Sequence, residues 1–260
     1  MTSTITDKAH QFRRLHQQDR ALLMPNAWDA GSAKLIAGAG FPALATSSGA
    51  AAAVLGRKDG QLTRDEALAH ARAIAEAVDV PVSADLENGF GPEPTMAAET
   101  VRLAGSIGLA GGSIEDSPAE AAPYDFHHAV ERGAAAVEAA RALGRPFTLT
   151  ARTENYLRGK PDLDDTIRRL QAFEKAGADV LFAPALPDLA SVRTVCASLT
   201  KPFSFMVGIP GKSFSVAELE AAGVKRISFA TSFYRAAMRA VLAAATEVKE
   251  HGTFDYLKKP

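Results

Sequence analysis

Three stretches carry one phrase: AGAGFPAL at 37–44, KAGADVLF at 175–182 and AAGVKRIS at 221–228. Each runs from small helix-forming residues through a glycine into a short apolar run. That order signals a helix end, a tight turn that uses the glycine's tolerance of positive φ, and the next buried strand. The same alternation extends in both directions. Strands are expected at Leu22–Met24, Ala43–Thr46, Val80–Ala84, Ala110–Ile114, Phe147–Ala151, Val180–Ala183, Phe203–Val207 and Arg226–Phe229. Helices are expected at Thr63–Val78, Pro94–Ser106, Asp125–Leu143, Leu163–Ala176, Val216–Ala222 and Thr231–Lys249, rich in Ala, Leu, Glu and Arg. Such alternation implies a parallel sheet with right-handed crossovers. Eight strands in 260 residues favour closure into a single α/β domain, a (β/α)₈ barrel of the TIM type over residues 1–260, with an open doubly wound sheet as the alternative. Residues 1–19 read as a polar extension or helix.

Bulk properties exclude several classes. A net charge of −1, with no run of more than two basic residues, gives no field for nucleic acid or anionic lipid. The lone cysteine, Cys196, forbids an internal disulfide and fits a reducing compartment. The N-terminus has no apolar core of a secretory signal and carries Asp7 and Asp19, unlike a transit peptide. No stretch is apolar for the ~18 residues of a membrane span. These features together lead us to expect a cytoplasmic protein without nucleic-acid or membrane partners.

Chemistry in such barrels sits in the loops after the strands. Asp85 and Glu87 follow the third strand, and alternation in an extended segment would aim both the same way. Glu115 ends the fourth strand, and Arg152 and Glu154 end the fifth. Three acids at one point would raise one another's pKa unless a cation neutralised them, and all-oxygen ligands suit Mg²⁺ or Mn²⁺. Arg152 beside them is a fork for a substrate carboxylate, or else a structural counter-charge. Ser48, Gly49 and Ala50 form a turn whose N–H groups and hydroxyl suit an anionic end. Asp59 lies in the loop Arg57-Lys58-Asp59-Gly60, where a plain turn residue is the alternative. Asp116 and Asp125 read as loop or capping residues, and His127-His128 as exposed. Trp28-Asp29 after the first strand is either packing or part of the mouth. The run 208–213, GIPGKS, ends like a phosphate-binding loop, but Met206 stands where the first glycine is required.

At these residues the chain resembles the isocitrate lyase/phosphoenolpyruvate mutase superfamily over nearly its whole length. The pieces are MPNAWDAGSAKLIAGAGFPAL at 24–44, SSGAAAAVLGRKDG at 47–60, SADLENGFG at 83–91, SIEDS at 113–117, ARTENYLRGKPDLDDTIRRLQAFEKAGADVLFAPAL at 151–186 and GVKRISFATSF at 223–233. The resemblance implies a Mg²⁺-dependent enzyme that makes or breaks C–C or P–C bonds in α-oxo or α-hydroxy carboxylates. It implies Asp85, Glu87 and Glu115 as metal shell, Asp85 directly and the others often through water. It also implies Ser48, Gly49 and Ala50 as substrate turn, Arg152 as substrate arginine and Asp59 as an acid on the gating loop. The chain departs from the lyase branch at 117–125, SPAEAAPYD, which lacks that branch's Lys-Lys-Cys-Gly-His loop. The Lys and Asn loop of the mutase and hydrolase branches is missing too.

The resulting expectation is a lyase on a small α-oxo acid, by decarboxylation or retro-aldol cleavage through an enolate. The alternatives are a P–C mutase or hydrolase, and a catalytically silent barrel that binds Mg²⁺ and a carboxylate. The segment 118–124 is expected to act as a lid. The last helix is apolar over more than one face (Phe233, Ala236, Ala237, Met238, Ala240, Val241, Leu242, Ala245). We therefore expect it to be exchanged between subunits of a dimer or tetramer, as the resemblance implies.

Overall fold

The structure is a computed structural model that describes residues 4–258. Its eight strands are β1 (Leu22–Met24), β2 (Leu44–Ala45), β3 (Val82–Asp85), β4 (Gly111–Glu115), β5 (Thr148–Arg152), β6 (Val180–Phe182), β7 (Phe203–Met206) and β8 (Arg226–Ser228). All neighbouring pairs are parallel, in the order β1-β8-β7-β6-β5-β4-β3-β2. The seam between β1 and β2 closes by a bridge from Asn26 to Ala45, with Ala27 N–H donating to the Ala45 carbonyl at 2.8 Å. Asn26 ties that seam across three strands. Its Nδ2 donates to the Thr46 carbonyl at 2.6 Å, and its Oδ1 accepts from Phe229 N–H at 3.0 Å. The result is a TIM-type barrel, the closed form expected from the sequence.

The helices are α1 (Ile5–Leu15), α2 (Ala30–Gly38), α3 (Ser48–Val54), α4 (Arg64–Ala77), α5 (Pro94–Ser106), α6 (Phe126–Arg141), α7 (Leu163–Ala176), α8 (Leu189–Ala197), α9 (Val216–Ala221) and α10 (Ser232–His251). Among the described residues no helix is long and apolar enough to cross a membrane. Capping sets the starts: Thr63 and Glu66 form a capping box on α4, and Asp125 caps α6 through His127 N–H at 2.9 Å. Asp29 caps α2 in the same way, and Trp28 packs edge-on against Tyr234 at 5.7 Å. Packing, rather than the mouth, accounts for both residues. The polar N-terminal stretch is α1, capped by Thr4 and Asp7.

Alternation along the strands divides inside from outside. Val82, Ala84, Ile114, Leu149, Ala151, Phe203, Phe205 and Ile227 pack outward into the main core beneath the helices. The opposite positions turn to the barrel axis. Leu22, Met24, Ala43 and Ala45 form a small cluster with Phe12 and Leu15 of α1. Phe182 and Met206 border a cavity on that axis, and other axial positions are small or polar, among them Ser83, Ser113, Thr148, Thr150, Ser204 and Arg226, all buried.

His16, just after α1, is buried in this assembly. Its Nδ1 donates to the Phe12 carbonyl at 2.8 Å, since a carbonyl only accepts, and its Nε2 has no partner. Burial, reinforced by the charge of Arg226, pushes its pKa down to about 3, against the hydrogen bond to Phe12. The unfolded chain takes a proton on this ring below its ordinary pKa of about 6.5, and the folded chain does not. His16 therefore withdraws stability as pH falls from 6.5 towards 3, by about 2 kcal/mol at pH 5. We expect His16→Gln to flatten this part of the denaturant-measured stability profile. Parallel profiles for the two proteins would refute the assignment.

Candidate active site

The C-terminal ends of β3, β4 and β5 lie side by side, with Asp85 paired to Ser113 and Glu115 to Arg152 in the register. Asp85 is fixed from several directions. Its N–H donates to Thr46 Oγ1 at 3.0 Å. Its Oδ2 accepts from Ser48 N–H at 3.3 Å and from the Ser48 hydroxyl at 3.1 Å. The sequence expectation for Glu87 needs correction in its reasoning. β3 stops at Asp85 and Glu87 has φ +48°, so strand alternation does not aim it. A tight turn brings it back beside Asp85, whose Oδ1 accepts its N–H at 3.3 Å. That turn is held by Arg132 of α6, whose guanidinium donates to the carbonyls of Asn88, Gly91, Pro92 and Glu93.

The substrate turn also needs correction. Ser48, Gly49 and Ala50 open the short helix α3. Ala50 N–H is spent on its cap Ser47 at 3.4 Å and Ser48 N–H on Asp85, so neither is free. Asp59 lies on the facing loop, with its Oδ2 3.2 Å from where a Cβ on Gly49 would stand. Burial and the charge of Asp85 raise its pKa above the ordinary carboxylate range, against Ser48 and Arg152.

Guanidiniums and acids interleave here. Arg152 Nε donates to Glu154 Oε1 at 2.6 Å and lies 3.4 Å from Glu115, with its Nη1 3.8 Å from Asp85. Arg158 lies 3.4 Å from Glu115 and 3.3 Å from Glu154. Arg152 is thus embedded among acids, which raise its pKa against the cost of burial. The free fork expected from the sequence is largely taken up. Glu115 and Glu154 are balanced by these two arginines, although burial still raises Glu115 well above its ordinary value. Glu87 has no such partner, and burial with the charges of Asp85 and Asp59 pushes it up to about 8. Asp85, Glu87 and Glu115 therefore gather around Arg152. Among the described residues, no three His, Cys, Asp or Glu side chains converge as a complete direct-ligand set.

Two cavities meet at this point. One, of about 210 Å³, runs along the barrel axis and is bordered by Asp59 and Asp85 against Arg152, Arg226 and Arg235. The other, of about 220 Å³, lies to the side and is bordered by Asp59, Glu87, Glu115, Glu120 and Glu154 against only Arg152 and Arg158. Ser48, Asp59 and Arg152 border both. An acid excess of this size, with one carboxyl pushed up to about 8, is the environment that a bound cation relieves. Its donors are all oxygens, as Mg²⁺ requires. The acids fit the ion in donor type, and waters would have to complete its shell.

The segment expected to be a lid folds over the side cavity. Ser117 donates its hydroxyl to the carbonyls of Pro118 and Ala121, and Tyr124 OH accepts from Asn88. Ala119 touches the Asp59 loop at Gly60, where φ is +76° and an added Cβ would stand 2.4 Å from that of Ala119. We expect Gly60→Ala to separate the two loops and raise hydrogen exchange across 117–124, with lower kcat/KM on whatever substrate is turned over. Unchanged exchange would show that the contact holds nothing.

Asp116 is neither a cap nor a solvated loop residue. It is buried and receives Thr153 Oγ1 at 2.8 Å, Glu154 N–H at 2.9 Å and Arg169 at 3.1 Å, which fixes the end of β5. Cys196 lies on α8 against Gly223, and burial pushes its thiol up to about 12, outside any catalytic range. Sequence reasoning missed Arg226, Arg235 and Arg158 as site residues, and named Glu154 at the end of the fifth strand without giving it a role. Arg158 had a signal in its i, i+4 spacing from Glu154, whereas Arg226 resembled an ordinary residue opening a strand.

Comparison with known proteins places this geometry. Residues 12–249 match the phosphoenolpyruvate phosphomutase family. A Burkholderia cenocepacia J2315 protein, whose assignment as a lyase/mutase is itself unproven, has a structure with TM-score 0.95 and 48% identity, covering 98% of this chain and 93% of its own. The 2-methylisocitrate lyase of Escherichia coli K12 is 30% identical over 254 residues, 93% of this chain and 84% of that enzyme. Oxaloacetate acetylhydrolase, solved with 3,3-difluorooxalacetate, has TM-score 0.89 and 25% identity, over 96% of this chain and 89% of its own. By its matched length and by the strand ends that carry its acids, the chain belongs to the phosphoenolpyruvate mutase/isocitrate lyase superfamily.

Proposed function

We propose that this protein is a Mg²⁺-dependent carbon–carbon lyase of a small α-oxo carboxylic acid. The observation that carries the proposal is the division of charge between the two cavities, an acid excess in one and a guanidinium excess in the other, joined at Ser48, Asp59 and Arg152. Asp85, with Glu87 and Glu115 acting in part through water, would hold the cation. Bound there, Mg²⁺ supplies Lewis-acid stabilisation of the negative charge that develops on an α-oxo acid as its bond breaks. The chain's own residues do the rest. Arg152 opposes protonation of the neighbouring carboxylates and lends its remaining N–H groups to the substrate carboxylate. Ser48 supports Asp85 and borders the same space. Asp59, carried over Gly49 on the loop that meets the lid, is placed to move a proton while the two loops exclude water.

A panel of α-oxo acids assayed with and without Mg²⁺ tests this reading. Mg²⁺-dependent release of a shorter acid or CO₂ is expected. A second reading, a P–C mutase or hydrolase, draws on the matched family and on Asp59 at the mouth. Phosphonopyruvate turnover with phosphate release or phosphoenolpyruvate formation would favour it. No turnover of any member would leave a silent carboxylate-binding barrel.

A further inference from the structure

Arg226 opens β8 and turns to the barrel axis, one inward-facing layer below the rim acids. The residue is 5% exposed. Its single hydrogen bond runs from Nη1 to Thr150 Oγ1, 3.0 Å away on the far side of the barrel. Its Nε is buried without a partner, and among the described residues no carboxylate lies within ion-pair distance. Ser83 and Ser204, at the same depth, also bury hydroxyls without partners. A guanidinium in this position bears a large desolvation cost with no counter-ion to offset it. With Arg226 itself counted, the axial cavity is bordered by three guanidiniums and two carboxylates, so the one positive charge in excess is that of its floor, and an anion that reaches the floor is attracted.

We infer that Arg226 is the floor of a carboxylate subsite inside the barrel, which takes the second acidic group of a dicarboxylate substrate held at the rim. The inference rests on the proposed placement of substrate in the axial cavity. Thr150, which marks the height of the Arg226 guanidinium, lies two residues before Arg152 on β5, about 6–7 Å along the strand. A short dicarboxylate covers that span, with one end near Arg152 and Ser48 and the other on Arg226. A monocarboxylate held at the rim leaves Arg226 uncompensated. Arg226 would then discriminate between substrates, because a buried guanidinium left unpaired is penalised much more than it gains from a neutral neighbour. Ser83, whose unpartnered hydroxyl borders the same cavity, is free to donate to the same carboxylate.

Calorimetry without Mg²⁺ tests this apart from catalysis, with succinate, propionate and inorganic phosphate as probes. Wild-type protein is expected to bind succinate more tightly than either of the other two. Arg226→Met should weaken succinate roughly 10- to 100-fold and leave propionate unchanged, with Arg226→Lys between wild type and Met. Ligand-free Arg226→Met should melt at the wild-type temperature or above, because an unpaired buried charge has been removed. Four results overturn the inference: no succinate binding by wild type, succinate affinity unchanged by Arg226→Met, propionate falling in step with succinate, or phosphate binding as tightly as succinate. A lowered melting temperature also overturns it, since Arg226 would then be structural. Failure of the lyase reading shows instead as missing turnover with succinate discrimination intact.

Discussion

Asp85→Ala is expected to remove Mg²⁺ binding and to lower turnover by at least about 1000-fold, near 4 kcal/mol of transition-state stabilisation. The fold should survive. Asp85 is the carboxylate on which the others converge: it raises the pKa of both Asp59 and Glu87, and both its oxygens are oriented, by Ser48 and by Glu87 N–H. Removing it takes one negative charge from a crowded group, so the cation-free protein should melt no lower than wild type. A cation that binds only the folded state raises the melting temperature as its concentration rises. Wild type should show that rise with Mg²⁺, and the variant should lose it together with its calorimetric signal. Mg²⁺ binding at wild-type affinity by the variant would overturn the role of Asp85 and leave the side-cavity acids Glu87 and Glu115 to hold the ion without it.

The strands were legible because a parallel barrel writes itself as short apolar runs between turns: β2, β6 and β8 fell where AGAGFPAL, KAGADVLF and AAGVKRIS pointed, and the other five overlap their own apolar runs. α5 and α7 match their expected limits, helped by Pro94 at the first position of one and Asp162 capping the other. α3 and α8 were not read, because α3 is only seven residues of small side chains and α8 nine with little amphipathic contrast. In the site, residue types at strand ends were legible and their partners were not. The strand ends show that Arg152 and Glu115 share one rim, but the closure of Asp85, Glu115 and Glu154 around Arg152 depends on side-chain packing. Glu87 was assigned to the right place for the wrong reason, because a positive-φ turn rather than alternation delivers it. Arg226 was silent because a charged residue at a strand start reads as solvated until barrel closure buries it.

Replacing Val241 and Leu242 of α10 by Glu is expected to break a homo-oligomer into monomers of 27.3 kDa. α10 is a 20-residue helix without a single buried residue. Only its first turn is anchored: Phe233 on Phe229 at 5.1 Å, Tyr234 on Trp28, and Arg235 on the Gly208 carbonyl. Among the described residues no strand or helix packs extensively along the rest of it. Met238, Val241, Leu242 and Val248 recur at helical spacing and stand 39%, 61%, 66% and 38% exposed, and Leu35 on α2 is 75% exposed. A barrel that covers itself would lay its eighth helix between α9 and α2. We propose that a second copy covers α10, by exchange of the helix or by pairing of its stripe. Burying Val241 and Leu242 alone is worth about 3–6 kcal/mol per helix, so the charged pair should weaken association by at least about 100-fold. Because Arg235 borders the axial cavity, dissociation should also disturb anion binding there. Light scattering at micromolar concentration decides the matter: wild type should show a multiple of 27.3 kDa and a melting temperature that rises with concentration. A wild-type mass of 27.3 kDa would mean that α10 folds back on its own barrel or stays bare, and the oligomer is wrong.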